Sequence, residues 1–156
     1  MFGLAGALVG AVPDGVSAVA APAPCRPTAF VTNQGGGTLS TIDVKTRTKN
    51  PTDITVGPAP GGGAFTPDGK TLFVANYGSG TVSIIDVKTR TKDPADIPVG
   101  LSASGMAVTP DGKTAFVATR ESGTVSTIDV KTRIKDPADI PVGSFPIGVA
   151  VTPCRR

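Results

Sequence analysis

The chain has 156 residues and a mass of 15.6 kDa, enough for one domain with its own core. Its 20 Gly and 15 Pro are nearly twice their ordinary combined share of roughly 12 %, yet 39 % hydrophobic residues exclude a disordered low-complexity chain. There is no His, no Trp and only two Cys, which excludes Ser-His-Asp and Cys-His catalysis, His-held metal or haem and a closed zinc site. The net charge is +3.

Residues 1–22 differ from the rest of the chain. Gly3–Val12 is apolar, and Ala18-Val19-Ala20 precedes Ala21-Pro22-Ala23. An apolar core followed by small residues resembles a secretory signal peptide, although the basic start is missing. The competing expectation is a degenerate hairpin, since Val12-Pro13-Asp14-Gly15 echoes a turn found later.

From residue 23 the chain repeats itself. Thr-Pro-Asp-Gly-Lys stands at 66–70 and 109–113, and Ile-Asp-Val-Lys-Thr-Arg at 42–47, 85–90 and 128–133. The step is 43 residues. Copies 66–108 and 109–151 share 32 of 43 residues, and 23–65 and 66–108 share 24 of 43. A period of about 40–45 is that of a four-stranded propeller blade.

Within a copy, an inner strand of small apolar residues is expected at about Gly62–Thr66 and Ser104–Thr109. The Pro-Asp-Gly turn closes a hairpin onto Thr71–Asn76. Gly78-Ser79-Gly80 turns the chain into the β-branched strand Thr81–Val87. A polar link, Lys88–Asp93, leads to an outer strand at about Ala95–Val99. Pro98 cannot donate to a ladder, so that strand should be an edge. No stretch has helical period and caps. The fold class is therefore all-β: propeller blades of four antiparallel strands, in three copies spanning 23–65, 66–108 and 109–151, with a closing end at 152–156.

Phe30-Val31-Thr32-Asn33, Phe73-Val74-Ala75-Asn76 and Phe116-Val117-Ala118-Thr119 are each followed by a Gly-containing turn, a strand ending in Ile-Asp-Val and a closing Val-Gly. This pattern resembles the YVTN-type β-propeller repeat of bacterial surface and extracytoplasmic proteins, with Phe in place of the motif Tyr. The resemblance implies a propeller fold and a secreted, periplasmic or cell-surface location. It does not imply one activity, because such scaffolds serve many.

Three blades are fewer than the usual four to eight. The first copy lacks an inner strand, and a spare one, Pro146–Val151, follows the last. Cys25 and Cys154 lie three repeat lengths apart, both at the turn position of Asp68 and Asp111. A disulfide is expected to bridge this split turn, which also suits export. Three blades closing alone would pair the cysteines within one chain. Two chains joining head to tail would pair them between copies and close a six-bladed ring, the favoured arrangement. A fragment of a longer array is the third possibility.

The residues offer three classes of site. The alternating Lys45, Arg47, Lys49 and their repeats at 88, 90, 92 and 131, 133, 135 suggest a polyanion or nucleic-acid stripe. However, each of the two later copies is neutral, and aromatics at 4 % argue against base-stacking platforms. Asp43, Asp86 and Asp129 fit local backbone caps better than a carboxylate ring, and no spacing suggests a metal site. A specific ligand site should lie where the copies differ. Those positions are Gln34, Tyr77, Arg120 and Glu121 on the second-to-third strand turns, and the links 58–61, 101–104 and 144–147.

The composition favours a non-catalytic structural or binding module for a protein or envelope ligand, with no cofactor. A lactonase-like or quinoprotein-like propeller enzyme is the alternative, and a polyanion binder the third. In non-reducing gels the cross-linked dimer should run at twice the chain mass and collapse to monomer with reductant. A band at monomer mass without reductant overturns it.

Overall fold

The computed structural model describes residues 26–153. The leader-like residues 1–22 and both cysteines lie outside the described residues. Blade 1 contains β1 (Thr28–Asn33), β2 (Thr38–Asp43), β3 (Thr48–Lys49) and β4 (Ile54–Thr55). Blade 2 contains β5 (Pro60–Phe65), β6 (Thr71–Asn76), β7 (Thr81–Asp86), β8 (Thr91–Lys92) and β9 (Ile97–Pro98). Blade 3 contains β10 (Ala103–Val108), β11 (Thr114–Thr119), β12 (Thr124–Asp129), β13 (Ile134–Lys135) and β14 (Ile140–Pro141). All pairings are antiparallel, and no helix forms among the described residues. These are three β-propeller blades at the 43-residue period, blades 2 and 3 each taking their inner strand from the end of the preceding copy.

Strand alternation gives each blade two apolar faces. Leu39 and Ile54 of blade 1 pack with Leu72, Val74 and Ile85 of blade 2. On the other side of the same sheet, Phe73, Val82, Ile84, Ile97 and Val99 pack with Met106, Ala115, Val117 and Ile128 of blade 3. Each fully buried Val, Ile or Phe stabilises by roughly 1.5–3 kcal/mol, so the blade–blade junctions are the core.

The inner strands β5 and β10 run side by side. Their pairing with β6 and β11 slips at a bulge between Pro60 and Gly63, and between Ala103 and Met106. A Cβ on Gly62 would stand 2.9 Å from the Ser104 carbonyl oxygen and 3.0 Å from Gly105 Cα. Glycine at this repeat position therefore permits the close approach of neighbouring inner strands.

The outer strand is not one run at Ala95–Val99. It is two short pieces, β8 and β9, which both pair with β7. Pro94 has no N–H, and Asp93 Oδ1 accepts the Ala95 N–H at 3.0 Å, so the chain loops out between them. Pro98 does lie on the outer edge, opposite Thr81.

The alternating basic stripe is also corrected. Arg47, Arg90 and Arg133 have φ of 57°, 57° and 60°, so the chain turns where the stripe needed extended backbone. Asp43, Asp86 and Asp129 hold that turn, accepting the N–H groups of Thr46, Thr89 and Thr132 at 2.9, 2.7 and 2.7 Å.

A buried polar path crosses blade 2. Asn76 Oδ1 accepts the Gly57 N–H from the preceding blade at 3.2 Å. Asn76 Nδ2 donates to Thr81 Oγ1 at 3.1 Å and Ser83 Oγ at 2.9 Å. Ser83 Oγ donates to Asp96 Oδ1 at 2.8 Å, and Lys92 pairs with Asp96 at 2.8 Å. The Ser–Asp–Lys part recurs as Ser40–Asp53–Lys49 and Ser126–Asp139–Lys135. Replacing buried Asn76 by Ala strands the Gly57 donor. Asn76→Ala should lower stability by about 2 kcal/mol, read as a lower urea midpoint with unchanged slope. Asn33→Ala, at the half-buried counterpart, should cost less.

Candidate functional site

Two sets of loops share one face of the blades. The turns from β1 to β2, β6 to β7 and β11 to β12 begin with Gln34, Tyr77 and Arg120 and end with Gly37, Gly80 and Gly123 at φ of 62°, 64° and 65°. The links between blades pass through Ala59, Ser102 and Phe145, one repeat apart, with φ of 49°, 59° and 53°. That left-handed backbone turns each link toward the next blade. The Tyr77 N–H donates to the Ala59 carbonyl at 3.0 Å, and the Arg120 N–H to the Ser102 carbonyl at 3.1 Å.

Tyr77 and Arg120, chosen from the sequence as variable positions, meet in space. Arg120 Nη1 donates to the Tyr77 hydroxyl at 3.2 Å. The guanidinium also lies over the Phe145 ring, 5.3 Å from its centroid, within cation–π range. Arg120 Nε is buried and has no hydrogen-bond partner among the described residues. Side-chain hydrogen bonding from Ser102 and then from Arg120 holds the Tyr77 phenol below its ordinary pKa, because both favour the phenolate. Glu121 opposes this through its charge and is itself exposed.

Gln34 and Tyr77 line an open groove of about 480 Å3 together with Thr32, Gly61, Ser104 and Ile147. Thus Gln34 and Tyr77 share the groove, Arg120 bridges Tyr77 to Phe145, and Glu121 stays at the rim. Sequence reasoning placed Phe145 in a variable link but did not pair it with Arg120. The signal available was its place one repeat after Ala59 and Ser102, each of which stands eighteen positions before a turn-opening residue, Tyr77 and Arg120.

Four of the nine basic-stripe residues are tied up in ion pairs. Lys49, Lys92 and Lys135 of the basic stripe pair with Asp53, Asp96 and Asp139 at 2.7, 2.8 and 2.7 Å. Arg133 pairs with Asp93. Hydrogen bonds from Thr66 and Thr109, more than any charge, lower the pKa of Asp68 and Asp111 in the Pro-Asp-Gly turns. Among the described residues, no group of three or more His, Cys, Asp or Glu side chains is placed to hold a metal ion.

No protein-family model and no curated protein matches the sequence. Among solved structures, the chain is similar to hydrazine synthase of Kuenenia stuttgartiensis, at 31% identity and a TM-score of 0.72 over 78% of this chain and 34% of that one. It is also similar to a 6-phosphogluconolactonase-like protein of Bacteroides fragilis, at 22% identity and TM-score 0.66 over 78% and 37% of the two chains. A third is the dihydro-heme d1 dehydrogenase NirN in complex with DHE, at 22% identity and TM-score 0.61 over 79% and 28%. All three are β-propeller proteins. The chain spans about a third of their lengths.

Tyr77 is the single Tyr of a chain without Trp, so tyrosinate absorbance reports this site alone. Its titration midpoint should lie below the usual value of about 10 and rise in Arg120→Gln. A midpoint at or above the usual value would contradict the Ser102 and Arg120 contacts.

Proposed function

We propose that the protein is a non-catalytic propeller module that binds an acidic, hydroxyl-rich ligand outside the cytoplasm. The reading rests on one observation above all. Arg120 is held between the Tyr77 hydroxyl and the Phe145 ring, close to a groove that combines hydroxyls, an amide and glycine backbone with Pro60 and Ile147. Arg120 as a whole is only half-buried, and a carboxylate accepts from a guanidinium with charge assistance. Aromatic rings beside a cation, around hydroxyl and amide groups, suit a uronate-bearing saccharide of the cell envelope. The resemblance to the YVTN-type repeat and the leader-like residues 1–22 support an extracytoplasmic setting.

A propeller enzyme is the second reading, favoured by the 31% identity to a chain named as hydrazine synthase. Added metal or quinone raising the melting temperature would support it.

Binding is read from Tyr77 fluorescence. Oligouronates should change it saturably, and the uncharged oligosaccharide of the same length should not. Arg120→Ala should weaken binding about tenfold or more. An unchanged Tyr77 signal with oligouronates, or equal affinity in Arg120→Ala, overturns the reading.

A further inference from the structure

The three blades form an arc whose two ends are the two halves of a junction that the arc already makes twice. On blade 2, Ile97 and Val99 are covered by blade 3 and each is 6% exposed. Their counterparts on blade 3, Ile140 and Val142, are 45% and 48% exposed. At the other end Val31 is 41% exposed, whereas its counterparts Val74 and Val117 are at 0%.

The backbone is open at the same places. Residues 146–151 lie along β10 much as β10 lies along β5. A Cβ on Gly105 would collide with the Ile147 carbonyl and stand 2.7 Å from Gly148 Cα, repeating the contact of Gly62 with Gly105. Ser104 Oγ donates to the Ile147 carbonyl at 3.1 Å. The segment thus holds the inner-strand position of a further blade, yet pairs with no strand among the described residues. Conversely, β1 has no inner strand beside it among the described residues. The Phe145 carbonyl, counterpart of the Ala59 and Ser102 acceptors, takes no backbone hydrogen bond among the described residues.

We propose that a second copy of this chain fills both ends, blade 3 of each copy packing on blade 1 of the other in a closed six-bladed ring. The repeat fixes the register. Met106, Ala107 and Val108 pair with Val117, Phe116 and Ala115. One repeat on, Val149, Ala150 and Val151 pair with Val31, Phe30 and Ala29 of the second copy. The Gln34 N–H of that copy then reaches the Phe145 carbonyl, and its side chain stands to Arg120 as Arg120 stands to Tyr77. The ligand-facing cluster is incomplete in one copy alone. A second copy is the partner that fits because each end carries the repeat's own packing residues, and closure pairs the open inner edge of β1.

The test is the solution mass of the full chain in reductant, across concentration. Twice the 15.6 kDa chain mass is expected. A monomer, or a ladder of open multimers, overturns the proposal. The double variant Ile140→Asp, Val142→Asp changes side chains already exposed in one copy, so the blade folds. It should weaken dimerisation about tenfold or more, and an unchanged dimer overturns the assigned face. In a Cys25→Ser, Cys154→Ser background, Val31→Cys with Val149→Cys should oxidise to a band at dimer mass, since paired Cα atoms lie within disulfide reach. Absence of a link, or one within a single chain, overturns the register. Mass and cross-linking report closure whatever the Tyr77–Arg120 cluster binds.

Discussion

Packing of blade against blade is the constraint on which the rest of the structure depends. A twisted sheet of four short strands has two apolar faces and can cover neither by itself. Phe73 and Val74 are adjacent in β6, point to opposite sides, and are both buried because a blade lies on each side. The blades are thus mutually dependent, as in other stacked repeats. The same dependence explains why the end blades expose positions that the middle blade buries.

Polar groups refine this apolar stack. Asn76 accepts a backbone N–H from the neighbouring blade and donates to two hydroxyls of its own, fixing the approach of one sheet to the next. The Ser–Asp–Lys chains pin the broken outer strand to its neighbour in every blade. They also absorb three lysines of the apparent basic stripe, so composition overstated the positive surface. Asp53 of these chains and Asp68, Asp86 and Asp129 of the turns are held below their ordinary pKa mainly by hydrogen bonds, with charge a lesser cause. The acidic residues of the repeat are largely structural groups.

Against this regular background the loop face is irregular. Gln34, Tyr77 and Arg120 occupy one repeat position with three chemistries, as do Ala59, Ser102 and Phe145. The Ala59 and Ser102 carbonyls each accept from the turn eighteen residues ahead, so Tyr77 and Arg120 are held on rigid backbone. Rigid placement of unlike side chains on a uniform scaffold gives the hydroxyl–guanidinium–aromatic cluster its definition.

Much of the fold was legible because repetition multiplies weak signals. The 43-residue period, the Pro-Asp-Gly turns and the β-branched runs together specified all-β blades, and Pro98 marked the edge strand. Tyr77 and Arg120 were legible as variable positions, though their contact was not, since it spans two blades. The split outer strand was missed because its cause is a side chain reaching inward, Asp96 to Ser83, and a turn held by Asp93 beside Pro94. The basic alternation misled because the left-handed Arg residues interrupt the extended backbone that alternation assumes. The sequence by itself determined the unit, its turns and the positions free to vary, all of which depend on neighbours in the chain. Tertiary structure alone decided which apolar faces are covered, which lysines are paired and which loop residues meet, because those depend on distances between blades.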